Sequence, residues 1–229
     1  MKLLYPDWPA PPHVKAFTTL RHDNFDLTTD TNACNRSVLF NENYVPSQPF
    51  WLSQIHSATI VEYDNNINTP KADASYTFQS KQVCVVLTAD CLPILLTDTS
   101  GSFVAAIHAG WRGLAQNIIT KTLQTITSNN HEILAWLGPG IGPNAYQIGH
   151  EVRDCFLKLN PNNEEAFKPK SHQQWLCDLY TIARLELHKN NVTQIYGGKY
   201  CTFTQQTDFF SYRREGKNAG RMGSFIWRD

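Results

Sequence analysis

Apolar and polar positions along the chain alternate in short blocks, which predicts many short strands interleaved with helices. Runs rich in β-branched and aromatic residues, bounded by turn-forming residues, predict strands at residues 14–19, 59–63, 83–88, 94–98, 103–108, 133–137, 193–196, 201–204 and 224–227. Apolar residues at helical spacing predict helices after Gly110, over residues 151–159, and from Asp178, which suits a helix N-cap. Since some strands follow one another without an intervening helix, the predicted fold class is α/β of the mixed α+β kind, with partly antiparallel sheets flanked by helices.

Nothing in the sequence divides it into separate domains. Its 229 residues contain no internal repeat, low-complexity tract or Gly/Ser linker, and 41% of them are hydrophobic. A chain of this length and composition can bury one sizeable core. We therefore expect a single domain over residues 1–229.

The composition argues against nucleic-acid and membrane partners. Lys plus Arg and Asp plus Glu both total 20, and no run of like charges predicts a charged binding surface. No apolar run approaches the roughly 20 residues of a membrane span, and the first residues lack the apolar stretch of a signal peptide. The six cysteines are scattered without paired spacing, as expected of free thiols. We expect a cytoplasmic protein, and the composition carries no sign of its oligomeric state.

Two apolar strands flank the turn-forming sequence DTSGS and predict a β-hairpin centred near Ser100. Cys91 and His108 stand at nearly equal distances from that turn, so they are expected to lie opposite or diagonally opposite each other. At a Cβ separation of roughly 5 Å, a thiolate and an imidazole can share a metal ion or a proton. The alternative is structural, with Cys91 packed in the core and His108 as a hydrogen-bonded residue at a strand end.

Several segments of the chain form a specific set of motifs. They are SQIHS at residues 53–57, TADCLPIL at 88–95, IHAGWRG at 107–113, LGPGIGPNAYQIG at 137–149, and FFSYRREG with GRMGSFIW near the end. Together these segments resemble the YfiH-like, or laccase-domain, family. The resemblance implies a single YfiH-like catalytic domain.

The resemblance also implies a metal site. In the family, the histidine of the Gln-x-His segment, the cysteine of Ala-Asp-Cys and the histidine of His-Ala-Gly-Trp bind one zinc ion, which here are His56, Cys91 and His108. Three protein ligands leave a fourth position for water, and this open position is typical of a catalytic zinc. Cys91 and His108 would then belong to the catalytic centre.

The activities that the resemblance implies are those of purine nucleoside enzymes: phosphorolysis of purine nucleosides and methylthioadenosine, and deamination of adenosine. Phosphorolysis needs positive charge to bind phosphate. The candidates in matching motifs are Arg36, Arg112, Arg213, Arg214 and Arg221. Arg36 and Arg214 are the preferred substrate-binding residues, with Arg112 as a further candidate.

Other candidates stand beside the ligand motifs. Asp90, next to Cys91, is predicted to be an acid/base residue or the carboxylate that orients a ligand histidine. Gln54 and Trp111 flank presumed ligands and are candidates for contact with the base. The glycine-rich segment 138–149 lacks the P-loop lysine and the Rossmann spacing, so we interpret it as a structural loop lining the pocket.

Two other functions are compatible with parts of the pattern, and a third is not. Cys91 as nucleophile and His108 as base would suit a thiol hydrolase or amidase, for example one that edits peptidoglycan precursors. A zinc ion could instead be purely structural in a binding module. A copper polyphenol oxidase needs many imidazoles, usually in His-x-His pairs, and the eight histidines of this chain form no such pair.

Overall fold

The computed structural model of the chain describes residues 1–22, 25–28, 33–126 and 132–229, apart from the side chains of residues 33 and 34. In these ranges the chain forms strands and α-helices in a mixed order. The strands are β1 (Leu3–Leu4), β2 (Val14–Thr19), β3 (Ile60–Glu62), β4 (Ala74–Thr77), β5 (Cys84–Thr88), β6 (Leu92–Asp98), β7 (Val104–Ala109), β8 (Ile133–Leu137), β9 (Gln147–Gly149), β10 (Phe167–Ser171), β11 (Gln174–Cys177), β12 (Gln194–Gly197) and β13 (Met222–Arg228). The helices are α1 (Ala33–Asn41), α2 (Trp111–Ala115), α3 (Ile118–Ile126), α4 (His150–Leu159), α5 (Leu179–Lys189) and α6 (Tyr212–Glu215).

Three sheets organise the domain. The largest has the strand order β12-β8-β6-β7-β4-β3, a second has the order β1-β2-β13-β5, and a small third has the order β10-β11-β9. Only the pairs β3 with β4 and β8 with β12 are parallel among the described strands. The predicted single domain of mixed α/β class, with partly antiparallel sheets, is therefore confirmed.

The six-stranded sheet lies between two apolar layers. Ile94 and Ile107 belong to a core cluster shared with helices α2 to α5. Leu95 and Ala106, which point to the opposite face, pack with residues of the four-stranded sheet. A strand covered on both faces reads as a continuous apolar run, which explains why strands β6 and β7 are so easily recognised in the sequence.

The predicted hairpin is formed by strands β6 and β7. Its register pairs Pro93 with His108 and Leu92 with Ala109. Cys91, two residues before Pro93, is therefore diagonal to His108. This diagonal placement confirms one of the two arrangements expected from the turn.

Two local predictions are wrong. Residues 201–204 form a turn instead of a strand, because the amide of Cys201 donates to the Gln205 side chain at 2.7 Å and its sulfur accepts from the amide of Gly142. The single helix expected after Gly110 is divided into α2 and α3 at Asn117, whose φ of 58° breaks the helical path. The short strands β1, β4, β9, β10 and β11 and helices α1 and α6 were not predicted.

The cysteines agree with the expectation of thiols. All five cysteines whose side chains the structure describes are free: Cys84, Cys91, Cys155, Cys177 and Cys201. The side chain of Cys34 lies outside the described residues.

Helix α3, which follows the β6–β7 hairpin and helix α2, is joined to helix α5 by a buried carboxylate. Glu186 accepts hydrogen bonds from the amide of Thr120 at 2.9 Å and from its hydroxyl at 3.0 Å. Burial raises the pKa of Glu186 to about 7, although the bonds to Thr120 work in the opposite direction. Ionisation of Glu186 therefore costs more free energy in the folded protein than in the unfolded chain.

Stability is expected to fall as pH rises from the ordinary pKa of glutamate through the raised pKa of Glu186. Glu186→Gln keeps an accepting oxygen and removes the charge. The free energy of unfolding of this variant, relative to that of the wild type, should increase by about 2.5 kcal/mol between about pH 5 and about pH 8, at about 1.4 kcal/mol per unit of pKa shift. Urea unfolding at the two pH values measures this, with exposed Glu165→Gln as control. A difference that does not change with pH would contradict it.

Candidate metal centre

His56, Cys91 and His108 come together although they lie on separate segments of the chain. His56 is in the loop before β3, Cys91 directly precedes β6, and His108 is in β7. One potential ligand atom from each residue lies within 4.8 Å of the other two. The Cys91 sulfur is 3.8 Å from Nε2 of His56, and the two imidazole rings are 4.8 Å apart, centroid to centroid. The three side chains that the family resemblance names as ligands are therefore close enough together to hold one metal ion.

The separations suit an ion with short bonds. Zinc binds nitrogen at about 2.0–2.1 Å and sulfur at about 2.3 Å, so tetrahedral ligand atoms stand roughly 3.3–3.8 Å apart. The distance between Cys91 and His56 already matches this range. The two ligand atoms that stand farthest apart, within 4.8 Å, have to approach each other by about 1 Å for tetrahedral coordination.

Asp73 links the two histidine segments. Its Oδ1 is 2.8 Å from Nδ1 of His108, which leaves Nε2 of that ring for the metal. The same carboxylate accepts from the amides of Ile55 at 3.3 Å, His56 at 3.0 Å and Ser57 at 2.6 Å, and from the Ser57 hydroxyl at 2.7 Å. Asp73 is completely buried. One carboxylate thus sets the orientation of His108 and the path of the backbone at His56.

The backbone is strained at two positions beside the ligand atoms. His56 has a φ of 58° and Asp90 has a φ of 86°, values that are uncommon for residues other than glycine. At His56 this conformation allows three successive amides to point at the Asp73 carboxylate. Such strain persists only where surrounding contacts outweigh its cost, and it clusters at functional sites.

The charged forms of Asp73, Cys91 and His108 stabilise one another. Burial opposes ionisation of Asp73, but hydrogen bonds from His108 and Ser57 outweigh it and lower the pKa to about 2. Burial likewise opposes the thiolate of Cys91, yet His108 and His56 lower its pKa to about 6. The pKa of His108 is raised to about 9 because the charges of Cys91 and Asp73 outweigh the effect of burial. The metal-free centre therefore holds Cys91 as a thiolate, the form that binds metal ions.

Gly110 leaves the room that the ligands need. A Cβ atom at this position would lie 3.0 Å from the Cys91 sulfur and 3.2 Å from Cδ2 of His56. Its φ of −70° is accessible to alanine, so only the added methyl group would matter. The glycine is required by the close approach of the two ligands.

Gly110→Ala is expected to weaken metal binding by about 10-fold, because the ligand atoms must move by a few tenths of an ångström and metal sites are sensitive to such displacements. Competition with a chromophoric chelator measures the affinity. Gly140→Ala, whose Cβ would make ordinary contacts of 3.4 Å, is the control. Equal affinities for the two variants would contradict the prediction.

Asp90 does not orient either histidine. Its Oδ1 accepts from the hydroxyl of Thr202 at 2.6 Å, and its Oδ2 accepts from the amide of Arg213 at 2.6 Å. Its backbone carbonyl accepts from the amide of Ile141. The orienting role expected for Asp90 falls to Asp73 instead. The sequence signal for Asp73 was weak, since it is one acidic residue ahead of a short strand that the pattern did not reveal.

Gln54 is used within the fold. Its side-chain amide donates to the carbonyl of Leu87 at 2.8 Å and its oxygen accepts from the amide of Leu87 at 2.7 Å. Both ends of the amide are thereby bonded to strand β5. Although Gln54 is close to His56 in sequence, its amide groups are therefore not available to bind a purine base.

Arg36 and Arg214, the preferred phosphate candidates, also bond to the protein itself. Arg36 donates from Nε and Nη2 to the carbonyl of Leu27 and stacks on Trp51, with Cζ 4.1 Å from the ring centroid. Arg214 donates to the carboxylate of Glu215 and to three backbone carbonyls, so its guanidinium is fully engaged. Arg221 likewise donates to backbone carbonyls. These contacts indicate structural roles.

The glycine-rich segment behaves as the structural loop that its sequence suggested. The amides of Gly138, Gly140, Ile141 and Gly142 all donate hydrogen bonds within the protein, to backbone carbonyls, a tyrosine hydroxyl and a cysteine sulfur. Amides that are already bonded cannot cradle a phosphate group.

Comparisons with known proteins assign the chain to a family. Residues 23–229 match the family model described as multi-copper polyphenol oxidoreductase laccase. The protein named purine nucleoside phosphorylase YfiH of Escherichia coli K12 is 41% identical, over 99% of this chain and 98% of the relative. The chain belongs to the YfiH-like laccase-domain family. A second YfiH-like relative, the purine nucleoside phosphorylase of Haemophilus influenzae, is 39% identical over 99% of both chains.

Solved structures show the same YfiH-like fold. The crystal structure of a Neisseria meningitidis protein is similar with a TM-score of 0.94 and 38% identity, covering 100% of both chains. YlmD from Geobacillus stearothermophilus has a TM-score of 0.92 and 25% identity, with 100% of this chain and 96% of YlmD covered. No helix in the described ranges has both the length and the apolarity that crossing a membrane requires.

Proposed function

We propose that this YfiH-like protein is a zinc-dependent purine nucleoside phosphorylase of the cytoplasm, in which residues 1–229 form one catalytic domain. We include phosphorolysis of methylthioadenosine and deamination of adenosine in the proposal. The observation that carries it is the convergence of His56, Cys91 and His108 on one point, with Asp73 behind them. The relatives named purine nucleoside phosphorylase align with nearly the whole chain and so support the substrate class.

The residues of the centre have different roles in such a site. A bound zinc ion would supply positive charge that polarises a substrate oxygen or lowers the pKa of a water molecule. Asp73 holds the proton on Nδ1 of His108 and thereby presents Nε2 to the centre. Asp90, whose carboxylate oxygens already accept hydrogen bonds, positions Cys91 by fixing the backbone on both sides of the site.

Phosphorolysis breaks the glycosidic C–N bond, forms a C–O bond to phosphate and returns a proton to the leaving purine. Deamination replaces the amino group of adenosine with an oxygen from water. The two reactions therefore differ in their co-substrate. This difference makes the activity directly testable.

The test is to incubate the zinc-loaded protein with adenosine, with and without inorganic phosphate, and to separate adenine, inosine and hypoxanthine by chromatography. Adenine that forms only with phosphate establishes phosphorolysis, and inosine that forms without phosphate establishes deamination. Protein stripped of metal should lose both activities while its fold remains. Absence of both products from the zinc-loaded protein would overturn the proposal.

A Cys–His hydrolase acting on amides, including peptidoglycan precursors, is the second candidate. It is favoured by the lowered pKa of Cys91 together with the raised pKa of His108, the arrangement of a thiolate with its imidazolium partner. Full activity on an amide substrate in the presence of chelator, with rapid alkylation of Cys91, would support the hydrolase. Loss of activity in chelator would reject it.

The copper chemistry named in the family description makes a separate prediction about the metal. In the described part of the chain, one group of three residues can hold an ion, whereas a multicopper site needs many more imidazoles. Metal analysis of the purified protein should find zinc, without an intense blue absorption band. Stoichiometric copper with such a band would overturn the zinc assignment.

A further inference from the structure

Two arginines near the metal centre keep donors that the fold does not use. Arg112 stacks on Trp111, with Cζ 4.5 Å from the ring centroid, and no described residue accepts a hydrogen bond from its guanidinium. The guanidinium of Arg213 donates one hydrogen bond to the described residues, from Nη1 to the carbonyl of Gln147 at 2.9 Å. Both side chains are exposed. Their guanidinium groups are therefore positioned and available to a ligand.

The backbone places both arginines near the three residues of the metal centre. Arg112 follows Gly110 by two residues, and Gly110 lies against Cys91 and His56. The amide of Arg213 donates to the carboxylate of Asp90, the residue before Cys91. The backbone of each arginine thus lies next to a residue that contacts or adjoins the centre, Arg112 in α2 and Arg213 in α6, on separate parts of the chain.

Tyr146 lies next to Arg213. The Cζ atom of Arg213 is 5.2 Å from the Tyr146 ring centroid. Burial raises the pKa of Tyr146 far above its usual range, the thiols of Cys177 and Cys91 raise it further, and the charges of Arg213 and Arg112 lower it. The phenol is therefore within electrostatic range of both arginines and of Cys91.

We propose that Arg112 and Arg213, with Tyr146 beside Arg213, form the subsite that binds phosphate beside the metal centre. Guanidinium groups bind phosphate oxygens through paired, charge-assisted hydrogen bonds, and two of them on separate elements can hold one phosphate from two sides. The contrast with Arg214 is decisive, because every donor of that side chain is used by the fold. The inference rests on the proposed function, which requires phosphate as a co-substrate.

The test measures binding of inorganic phosphate directly, by isothermal titration calorimetry of the zinc-loaded protein. Arg112→Ala and Arg213→Ala should each raise the Kd for phosphate by about 10-fold, and the double variant by about 100-fold, where 10-fold corresponds to about 1.4 kcal/mol. Zinc content and melting temperature should stay at wild-type values, since both side chains are exposed. In phosphorolysis assays the same variants should raise KM for phosphate and leave KM for adenosine nearly unchanged.

Arg153→Ala is the matched control, because Arg153 also stacks on a tryptophan, with Cζ 4.1 Å from the ring of Trp175, but is paired with Glu164. It should leave phosphate binding unchanged. Wild-type phosphate affinity in both Arg112→Ala and Arg213→Ala, or no phosphate binding by the wild type, would overturn the subsite.

Nucleoside turnover is measured separately in the same preparations, to distinguish failure of the subsite from failure of the proposed function. Phosphorolysis whose KM for phosphate is unaffected by Arg112→Ala and Arg213→Ala overturns the subsite and leaves the proposed function standing. Phosphate binding that depends on these arginines, without cleavage of any purine nucleoside, supports the subsite and overturns the proposed function.

Discussion

Cys91→Ala is expected to remove both metal binding and nucleoside turnover while the fold persists. Cys91 supplies the one sulfur ligand of the cluster, and its thiolate is held by His108 and His56. Loss of a residue that merely supports a ligand typically costs about 10–100-fold in metal affinity or activity, so loss of the ligand itself should cost more than about 100-fold. Chelator competition and the adenosine assay measure the two effects.

The control is Cys155→Ala, which removes another free and partly exposed cysteine, in helix α4. It should bind zinc and turn over adenosine as the wild type does. If Cys91→Ala kept a full equivalent of tightly bound metal, the metal site assigned to this cluster would be wrong. If it kept metal but lost activity, Cys91 would act as a nucleophile instead of a ligand.

Asp73→Asn is expected to have the second largest effect, on metal affinity and on stability together. The buried carboxylate accepts from Nδ1–H of His108 and from backbone and side-chain groups of residues 55–57. Asparagine keeps one accepting oxygen and replaces the other with an NH₂ group that faces donors. We expect metal affinity to fall by about 10–100-fold, and the free energy of unfolding of the metal-free protein to fall by about 3 kcal/mol.

Two aspartates provide the comparison for that variant. Asp98→Asn removes a carboxylate that also accepts several hydrogen bonds, from Ser100 and Ser102, but at the exposed end of the hairpin. Asp90→Asn tests the residue next to Cys91. Asp98→Asn should retain zinc at wild-type affinity, and Asp90→Asn, which can act on the metal only through the position of Cys91, should lose less affinity than Asp73→Asn. A larger loss of zinc in Asp90→Asn than in Asp73→Asn would show that Asp73 is not the orienting carboxylate.

The sheet-forming hairpin was predictable because it is local. A turn-forming sequence between two apolar strands sets the register within about one residue, and that register alone brings Cys91 and His108 within reach of each other. The same locality explains the correct start of helix α5, where the Asp178 side chain accepts from the amides of Tyr180 and Thr181.

Short elements were missed for the corresponding reason. Strands β4 and β9 are too brief to show a periodic pattern, and they exist because longer neighbours offer unpaired edges. Residues 201–204 have the composition of a strand, but side-chain bonds to Gln205 and Gly142 favour a turn. Propensity over a few residues is outweighed by such tertiary contacts.

The roles of individual side chains depend on which donors and acceptors the fold already uses. Arg214 stands in a more specific motif than Arg112, but bonds to backbone carbonyls and to Glu215 occupy its guanidinium. Gln54 is likewise occupied by Leu87. Residue type and spacing indicate where charge is present. They do not indicate whether that charge is free to bind a ligand.

By itself, the sequence determined the mixed α/β class, the hairpin and the motif set that places the chain in its family, because these depend on local periodicity and on short contiguous segments. Only the tertiary structure decided that Asp73 orients the ligands, since it lies 17 residues from His56 and 35 residues from His108 along the chain. The joining of His56 to the hairpin was likewise settled by long-range packing. A buried carboxylate needs every one of its hydrogen-bond donors, and those donors are assembled only when distant segments fold against each other.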